Sequence, residues 1–228
     1  SMMDEVRALV LRNAAEIIDD VILNADTTAL NNINADGATI TTSDAGKAHW
    51  LIGFDGMRHL PLIDATGQGN DHNGVVTDDM FNENRRNMGK YAVRPSECVH
   101  VMDIATWLIS QTITNVRTLD KFGPQATILN GQLGAHEGIP IIVSEQLLKT
   151  ASDGKVTDGA AGTVGQLLTF NRNMWMAGFR RQIMIETVRD SQKRQNIVVV
   201  SFRITRQQRE PTIANATHTA LNYNITGV

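Results

Sequence analysis

The sequence contains few of the residues that build disulfide scaffolds, membrane spans or aromatic binding sites. Its 228 residues include one cysteine, five prolines, three tryptophans and two tyrosines. A single cysteine excludes an internal disulfide and suits a reducing compartment. No apolar run approaches the ~18 residues that a helix needs to cross a bilayer. The acidic start, Ser1 to Glu5, lacks the apolar core of a signal peptide. We therefore expect neither secretion nor contact with a membrane.

The composition otherwise suits a globular protein with a substantial core. Hydrophobic residues make up 42% of the chain and charged residues 20%, both ordinary values for such a protein. Cys98 lies in the apolar stretch 93–101. We therefore expect it to be a buried small hydrophobic residue and not a nucleophile.

The net charge is small, but the charged residues are unevenly distributed along the chain. The net charge of −3 argues against a strong nucleic-acid binder. Residues 3–56 carry nine acids and three bases, whereas residues 172–210 carry nine bases and three acids. Such an acidic beginning and basic end would steer head-to-tail contacts between copies. Neutralisation of the two segments inside one fold is an equal alternative.

Hydrophobic periodicity predicts an α+β order of elements, not a regular βαβ series. Asp4 to Asn24 has the apolar spacing of an amphipathic helix. The Asn-, Asp-, Thr- and Gly-rich stretch 25–76 predicts irregular β-structure, with short strands at 48–54 and 57–63 and turn chemistry at 36–37, 55–56 and 64–74. Further helices are predicted from Thr77 to about Lys90 and from the cap Asp103 to about Lys121, the latter with an apolar face of Ile104, Trp107, Leu108, Ile113 and Val116. Strands are predicted at 93–102, 139–144, 166–170, 174–179, 182–189 and 196–206, with a surface loop at 151–165 and a hairpin turn at 190–195.

The middle region holds the best candidates for a metal or catalytic site. His49, Asp55, His59, Asp64, Asp71 and His72 all lie there. Zinc needs three or four ligands that converge from firm elements, and no H-x-x-x-H pair occurs. A calcium loop at 64–74 would lack its closing glutamate. We therefore predict no metal, catalytic or cofactor-binding residue. A metal-dependent hydrolase built on Asp55, His59, Asp64 and His72 is the alternative from a different class, and a small-ligand-binding module in the middle region is another.

Other motifs are weak. No P-loop and no G-x-S-x-G nucleophile elbow is present. His136 beside Glu137 is typical of a polar turn. The basic end holds only the scattered aromatics Trp175, Phe179 and Phe202, too few for a stacking platform. Weak, unspecific contact with a phosphate backbone is the most that this segment predicts.

Four segments in order carry a resemblance to a known family. They are the helix 4–24, the unit Tyr91-Ala92-Val93-Arg94-Pro95-Ser96 with its following strand and helix, the strand Gly138-Ile139-Pro140-Ile141-Ile142-Val143-Ser144, and the closing strands 182–189 and 196–206. In this order they resemble the major capsid (coat) protein of tailed bacteriophages, the Hong Kong phage type of shell fold. The resemblance covers residues 4–24 and 77–223, and the stretch 25–76 fits it poorly.

The resemblance implies a fold, a location and partners. It implies a spine helix and closing strands in a peripheral-type domain (1–24 and 179–228) around an axial-type domain (25–178, with the irregular insertion 25–76). It implies a non-enzymatic structural protein of the virion capsid, made in the host cytoplasm. The partners would be copies of itself in pentameric and hexameric rings of an icosahedral shell, with scaffolding protein, portal and packaged DNA as weaker contacts. The candidate subunit-contact residues are Arg180, Arg181, Arg189 and Arg206.

Besides the poor fit of residues 25–76, a second departure qualifies this expectation. The family's N-terminal arm and extended loop, which wrap neighbouring subunits, have no counterpart ahead of residue 4. We therefore expect a trimmed or degenerate copy that is a monomer or a weak oligomer in solution. The shell of an encapsulating nanocompartment is the alternative within the same fold.

Overall fold

The computed structural model describes residues 2–27, 32–34, 49–113, 134–156, 162–190, 192–193, 195–210, 212–213 and 216–228. Within them the helices are α1 (Met2–Asn24), α2 (Asp78–Met88) and α3 (Ile104–Ser110). The strands are β1 (Gly69–Val75), β2 (Cys98–Met102), β3 (Ala135–His136), β4 (Ile139–Val143), β5 (Gly165–Asn171), β6 (Trp175–Asp190), β7 (Gln195–Gln208) and β8 (Thr219–Thr226). No described helix is both long enough and apolar enough to cross a membrane.

Helix α1 confirms the predicted amphipathic helix, but only its second half is packed. Ala14, Val21 and Leu23 are buried, whereas Leu9 and Leu11 in the first half are exposed. The helix ends at Asn24, whose Nδ2 donates to the Gln146 carbonyl at 2.7 Å. The chain then meets the backbone of Gly56, whose amide donates to the Ala25 carbonyl. One end of α1 is therefore fixed to the body and the other projects.

The two short strands predicted after residue 48 are wrong. His49–Ile52 is a 3-10 turn and Leu60–Asp64 is a π-helical turn. The Ala65 amide donates to the Leu60 carbonyl at 2.7 Å, so the backbone of the second segment pairs locally. The turn chemistry predicted at 64–74 is also wrong beyond residue 68, because Gly69–Val75 pairs with β8 as strand β1. The predicted turn at 36–37 lies outside the described residues.

Six strands form one mixed sheet in the order β1-β8-β5-β2-β4-β3. β8 is parallel to β1 and antiparallel to β5, and β2 is antiparallel to β5 and parallel to β4. β8 was not predicted from the sequence. Its residues fall in the segment 179–228 that the resemblance assigns to the peripheral-type part, yet they pair with β5. The division into axial-type and peripheral-type domains stays a prediction.

Helices α2 and α3 pack on this sheet. Met80, Phe81, Asn84 and Met88 of α2 are buried, as the helical spacing predicts. Asp103 caps α3 by accepting the Thr106 amide at 2.9 Å, which confirms the predicted cap. The predicted apolar face of α3 is wrong in part. Trp107 and Ile113 pack against the core, but Ile104 and Leu108 are exposed. Residues 114–133, including Val116 and the predicted helix end, lie outside the described residues.

Strands β6 and β7 form a separate two-stranded sheet, hereafter the hairpin. The hairpin confirms the predicted pairing across the turn at 190–195. The predicted break between 179 and 182 is wrong, since β6 runs through it with irregular register between Phe179 and Met184. The predicted strand 93–102 begins only at Cys98, after a 3-10 turn over Pro95–Glu97. In the predicted loop 151–165, Val164 forms a β-bridge to Thr150, and residues 157–161 lie outside the described part.

Candidate assembly surface

The hairpin is long and thinly covered. β6 has 16 residues and β7 has 14. Val188 and Ile197 are directly opposite each other in the ladder, and both side chains are about half exposed. Val199 lies two residues along on the same face and is also exposed. An isolated two-stranded ribbon is marginally stable in water. Contacts that cover this exposed apolar face would therefore stabilise the distal half of the hairpin.

Helix α1 covers only the proximal half of the hairpin. An open cavity of about 490 Å³ lies between them. It is lined by Ile17 and Val21 of α1, Trp50 and Phe54 of the following segment, and Phe202 and Ile204 of β7. Arg180 and Arg203 lie at the same cavity. The amphipathic spacing of α1 thus explains the contact, because residues four apart share one side of a helix.

Arg206 is the one predicted contact residue that turns inward. Its guanidinium carbon lies 3.8 Å from the centre of the Trp175 ring, in cation–π contact. Burial lowers the pKa of Arg206 to about 9, although the charges of Asp55 and Asp64 oppose that shift. Its Nε and Nη1 have no acceptor in the described part of the chain. These contacts favour a role within the chain for Arg206.

The other three predicted arginines lie on the surface. Arg180, Arg181 and Arg189 are exposed on β6. Arg181 donates to Ser201 Oγ at 3.3 Å. None of the three forms an ion pair with a described carboxylate. Their assignment as subunit contacts stays a prediction, and their geometry leaves them available for it.

A second cavity lies on the other side of α1. The charged residues that line this acidic groove, of about 440 Å³, are Glu16, Asp19 and Glu145. Its apolar lining includes Ile22, Met57, Val101, Ile142 and Phe170. Burial raises the pKa of Asp19, since no described cation compensates the loss of water. Sequence reasoning missed the groove, because Glu145 joins α1 only through the tertiary fold.

The Asp/His-rich middle region is partly brought together. His59 Nε2 lies 3.2 Å from Asp26 Oδ1 and 3.7 Å from Asp55 Oδ1, and its Nδ1 lies 3.1 Å from Asp64 Oδ2. Burial of the ring opposes protonation, but the Asp26 hydrogen bond and the three carboxylate charges outweigh it and raise the pKa of His59. Asp26, which the sequence did not single out, is buried and also accepts the Ile33 amide at 2.8 Å.

This arrangement does not match the hydrolase alternative as predicted. His72 lies on β1, where its Nε2 contacts the Val75 carbonyl at 2.8 Å. Asp71 accepts from Asn224 Nδ2 at 2.7 Å. The side chain of His49 is outside the described part. Asp26, Asp55 and His59 have spacing that a metal ion would fit, but Arg206 lines the same cavity and already supplies positive charge. The cluster therefore fits an internally neutralised structural site.

His136 and Cys98 are also structural. His136 Nε2 lies 2.6 Å from Asp78 Oδ1, and its ring stacks on Phe81 with centroids 4.3 Å apart. Its predicted neighbour Glu137 instead pairs with Arg85. Cys98 is fully buried, and burial raises the pKa of its thiol, which confirms the prediction of a buried hydrophobic residue.

Comparison with known proteins identifies the fold. No family model and no curated protein matches the chain. A solved structure named "Mycobacterium phage Che8" is similar with a TM-score of 0.53 and 14% identity, over 73% of this chain and 56% of that chain. The "Asymmetric unit of bacteriophage PhiM1 mature capsid" is similar with a TM-score of 0.48 and 14% identity, over 66% of this chain and 47% of that chain. The "Capsid structure of the Cyanophage P-SCSP1u" is similar with a TM-score of 0.47 and 14% identity, over 64% of this chain and 45% of that chain.

The likeness is one of fold, at low identity. The chain spans about half the length of the solved structures it matches. The α+β class that the sequence predicted is confirmed. The chain shares the fold of the structure named "Mycobacterium phage Che8".

Proposed function

We propose that this chain is a structural subunit of a phage or prophage shell, working by association with copies of itself. The observation that carries the proposal is the fold likeness to the Che8 structure over 73% of the chain. A capsid subunit needs contact surfaces and not a catalytic centre. In the proposed shell, rings of five or six copies would enclose DNA within an icosahedral particle. A chain in such a shell lies in the virion and is made in the host cytoplasm.

The exposed hairpin supports self-association. Its distal face presents Val188, Ile197 and Val199 to solvent. α1 contacts β7 near Phe202 and Ile204, and this contact leaves the distal face uncovered by the helix. Burial of apolar surface contributes roughly 25 cal/mol per Å², so a neighbour that covers this face would gain stability. In this proposal α1 and the hairpin form the peripheral-type part, and the six-stranded sheet forms the axial-type part.

Sedimentation and light scattering over a concentration series test the proposal. We expect weak, concentration-dependent association of the 228-residue chain, with rings or shell fragments in electron micrographs of the concentrated protein. The double variant Val188→Lys, Ile197→Lys should weaken association, because two charges would have to be desolvated at the contact.

Val93→Lys is the matched control for this experiment. Val93 is highly exposed but lies away from the hairpin, before β2. It should leave association unchanged. The exposed hairpin narrows the expected state from a monomer or weak oligomer to a weak oligomer. A wild-type chain that stays monomeric at its highest soluble concentration would therefore contradict the proposed function.

A further inference from the structure

Three arginines concentrate positive charge in the middle of the hairpin. Arg181 and Arg203 are directly opposite each other in the ladder. Arg180 and Arg203 line the same cavity. Like charges directly opposite on neighbouring strands destabilise the pair. No described carboxylate forms an ion pair with any of these residues, hereafter the hairpin patch.

An exposed apolar side chain lies on the same face as the hairpin patch. Alternate residues of a strand share one face, so Val199 of β7 points to the side that carries Arg203, and 42% of its surface is exposed. Arginine is enriched at protein interfaces, whose centres are apolar. A surface that combines the two is more typical of a protein contact than of a phosphate-backbone contact alone.

The acidic groove has the complementary character. Asp19 and Glu145 make no ion pair within the described part of the chain. Glu16 has one partner, Arg12 Nε, at 2.9 Å on the same helix. Much of the remaining lining is apolar, so the groove can also cover the exposed apolar side chain beside the patch.

The patch and the groove of one chain cannot meet across α1. Successive residues turn by about 100° around a helix, so Ile17 and Val21, which line the hairpin cavity, lie opposite Asp19 and Leu23, which line the groove. The two surfaces therefore face away from each other on the two sides of one helix. This is the arrangement that a head-to-tail contact requires, since each copy offers a different patch to each neighbour.

We propose that the hairpin patch of one copy docks into the acidic groove of a second copy. The inference rests on the proposed function and specifies which surfaces meet. It also favours head-to-tail contact between copies over neutralisation inside one fold as the explanation of the uneven charge. Only Arg206 of the four predicted arginines is positioned to neutralise acids of the first segment inside its own chain.

A charge swap tests the contact. The patch variant Arg181→Glu, Arg203→Glu and the groove variant Asp19→Lys, Glu145→Lys should each weaken self-association at least about tenfold, because like charges would meet. Mixing the two variants should restore association, since the reversed patch fits the reversed groove and the native patch fits the native groove. Arg94→Glu with Asp79→Lys reverses exposed charges elsewhere and should change nothing. Circular dichroism verifies that each variant is folded.

Disulfide trapping gives a readout independent of affinity. Arg181→Cys and Glu145→Cys chains, mixed under mild oxidation, should yield a heterodimer, whereas Arg94→Cys with Glu145→Cys should not. The native Cys98 is buried and does not compete.

The outcomes separate the two proposals. Association of the wild-type chain that neither variant weakens, with no trapped heterodimer, would overturn the docking contact and leave the shell function standing. A wild-type chain that never associates would overturn the shell function and the contact with it. A patch variant that loses binding to double-stranded DNA but associates normally would assign the patch to nucleic acid and overturn the contact.

Discussion

Arg58 shows how one buried charge connects distant parts of the chain. It is fully buried. Its Nη1 donates to Asn24 Oδ1 at 2.7 Å and its Nε to Gln166 Oε1 at 2.9 Å. The guanidinium thus connects the end of α1 to β5. Burial lowers the pKa of Arg58 to about 10, with the charges of Asp20 and Asp153 opposing the shift. Nothing in the sequence around residue 58 marks it as a core position.

Replacing Arg58 should destabilise the whole fold. Arg58→Met keeps an unbranched apolar stem but removes the guanidinium, which leaves three buried acceptors without their donor: Asn24 Oδ1, Gln166 Oε1 and the Gly154 carbonyl. We expect a loss of about 3 kcal/mol in the free energy of unfolding, measured by urea denaturation. Arg86→Met removes an exposed arginine of α2 and should cost less than about 0.5 kcal/mol. Equal stabilities for the two variants would show that the buried network contributes little.

His100 should make the protein sensitive to acid. The ring is fully buried, and its Nδ1 lies 2.8 Å from Thr169 Oγ1. Burial, then the nearby His136 and Arg85, lower the pKa of His100 to about 3. The unfolded state, with a pKa of about 6.5, therefore takes up the proton first. Stability from this residue is present above pH 6.5 and is lost as pH falls toward 3, by about 2 kcal/mol between pH 7 and pH 5.

His100→Gln isolates that contribution. The variant has no titrating ring, so its unfolding free energy should fall less between pH 7 and pH 5 than that of the wild type. The comparison uses the slope of the unfolding free energy against pH and not its absolute value. His59, whose pKa is raised, stabilises both proteins as pH falls through the same range. Parallel slopes for the two proteins would contradict the assignment.

At the scale of elements, Gly56 fixes how the segment after α1 returns to the helix. A Cβ at this position would lie 2.6 Å from the Ala25 nitrogen and 2.7 Å from the Leu23 carbonyl oxygen. Both are backbone atoms and cannot rotate away. Only glycine permits so close an approach, and the same approach brings Arg58 and His59 beneath the helix end.

Gly56→Ala should therefore separate α1 from the segment it packs on. We expect a destabilisation of about 2 kcal/mol, because the backbone must shift to admit a methyl group. Gly67→Ala is the matched control, as no atom lies within 4 Å of its added Cβ. Thermal unfolding of both variants is the measurement. A Gly56→Ala protein as stable as Gly67→Ala would show that the junction yields easily.

Prediction of elements succeeded where a local pattern was sufficient. α2 has a hydrophobic face at helical spacing that is buried as expected, and the hairpin strands carry long β-prone runs. β1 was mistaken for a turn because Gly69, Asn70, Asp71 and Asn73 favour turns. Its strand conformation depends on pairing with β8, whose sequence lies some 150 residues away. Local propensity cannot register such a partner.

For the whole molecule, the last strand holds the two parts of the six-stranded sheet together. β8 lies between β1 and β5, and Asn222 Nδ2 donates to the Met80 carbonyl at 2.6 Å, which ties the strand to α2. Leu221 and Ile225 belong to two of the core clusters. The sheet thus depends on pairing between segments as far apart in sequence as Gly69–Val75 and Thr219–Thr226.

Deleting residues 218–228 should abolish cooperative unfolding, because β1 and β5 would each expose an unpaired edge and the core would open. Near-ultraviolet circular dichroism during thermal unfolding is the measurement. As a control, residues 186–199 can be replaced by Asn-Gly, which joins Ile185 to Val200 across a two-residue turn. That shorter hairpin should leave the main unfolding transition in place. A sharp transition in the first deletion would refute this role of β8.

Local sequence patterns were sufficient to predict the α+β class, the amphipathic α1 and α2, the long β-prone strands of the hairpin, and the separation of acidic from basic segments. These features depend on hydrophobic period and composition, which are local properties of the chain. Other features appear only in the folded chain. Arg206 turns inward, whereas Arg180, Arg181 and Arg203 are exposed. Glu145 and Asp19 line one groove, and Asp26 contacts His59. Burial and charge compensation depend on residues far apart in sequence, so they are set only when the chain has folded.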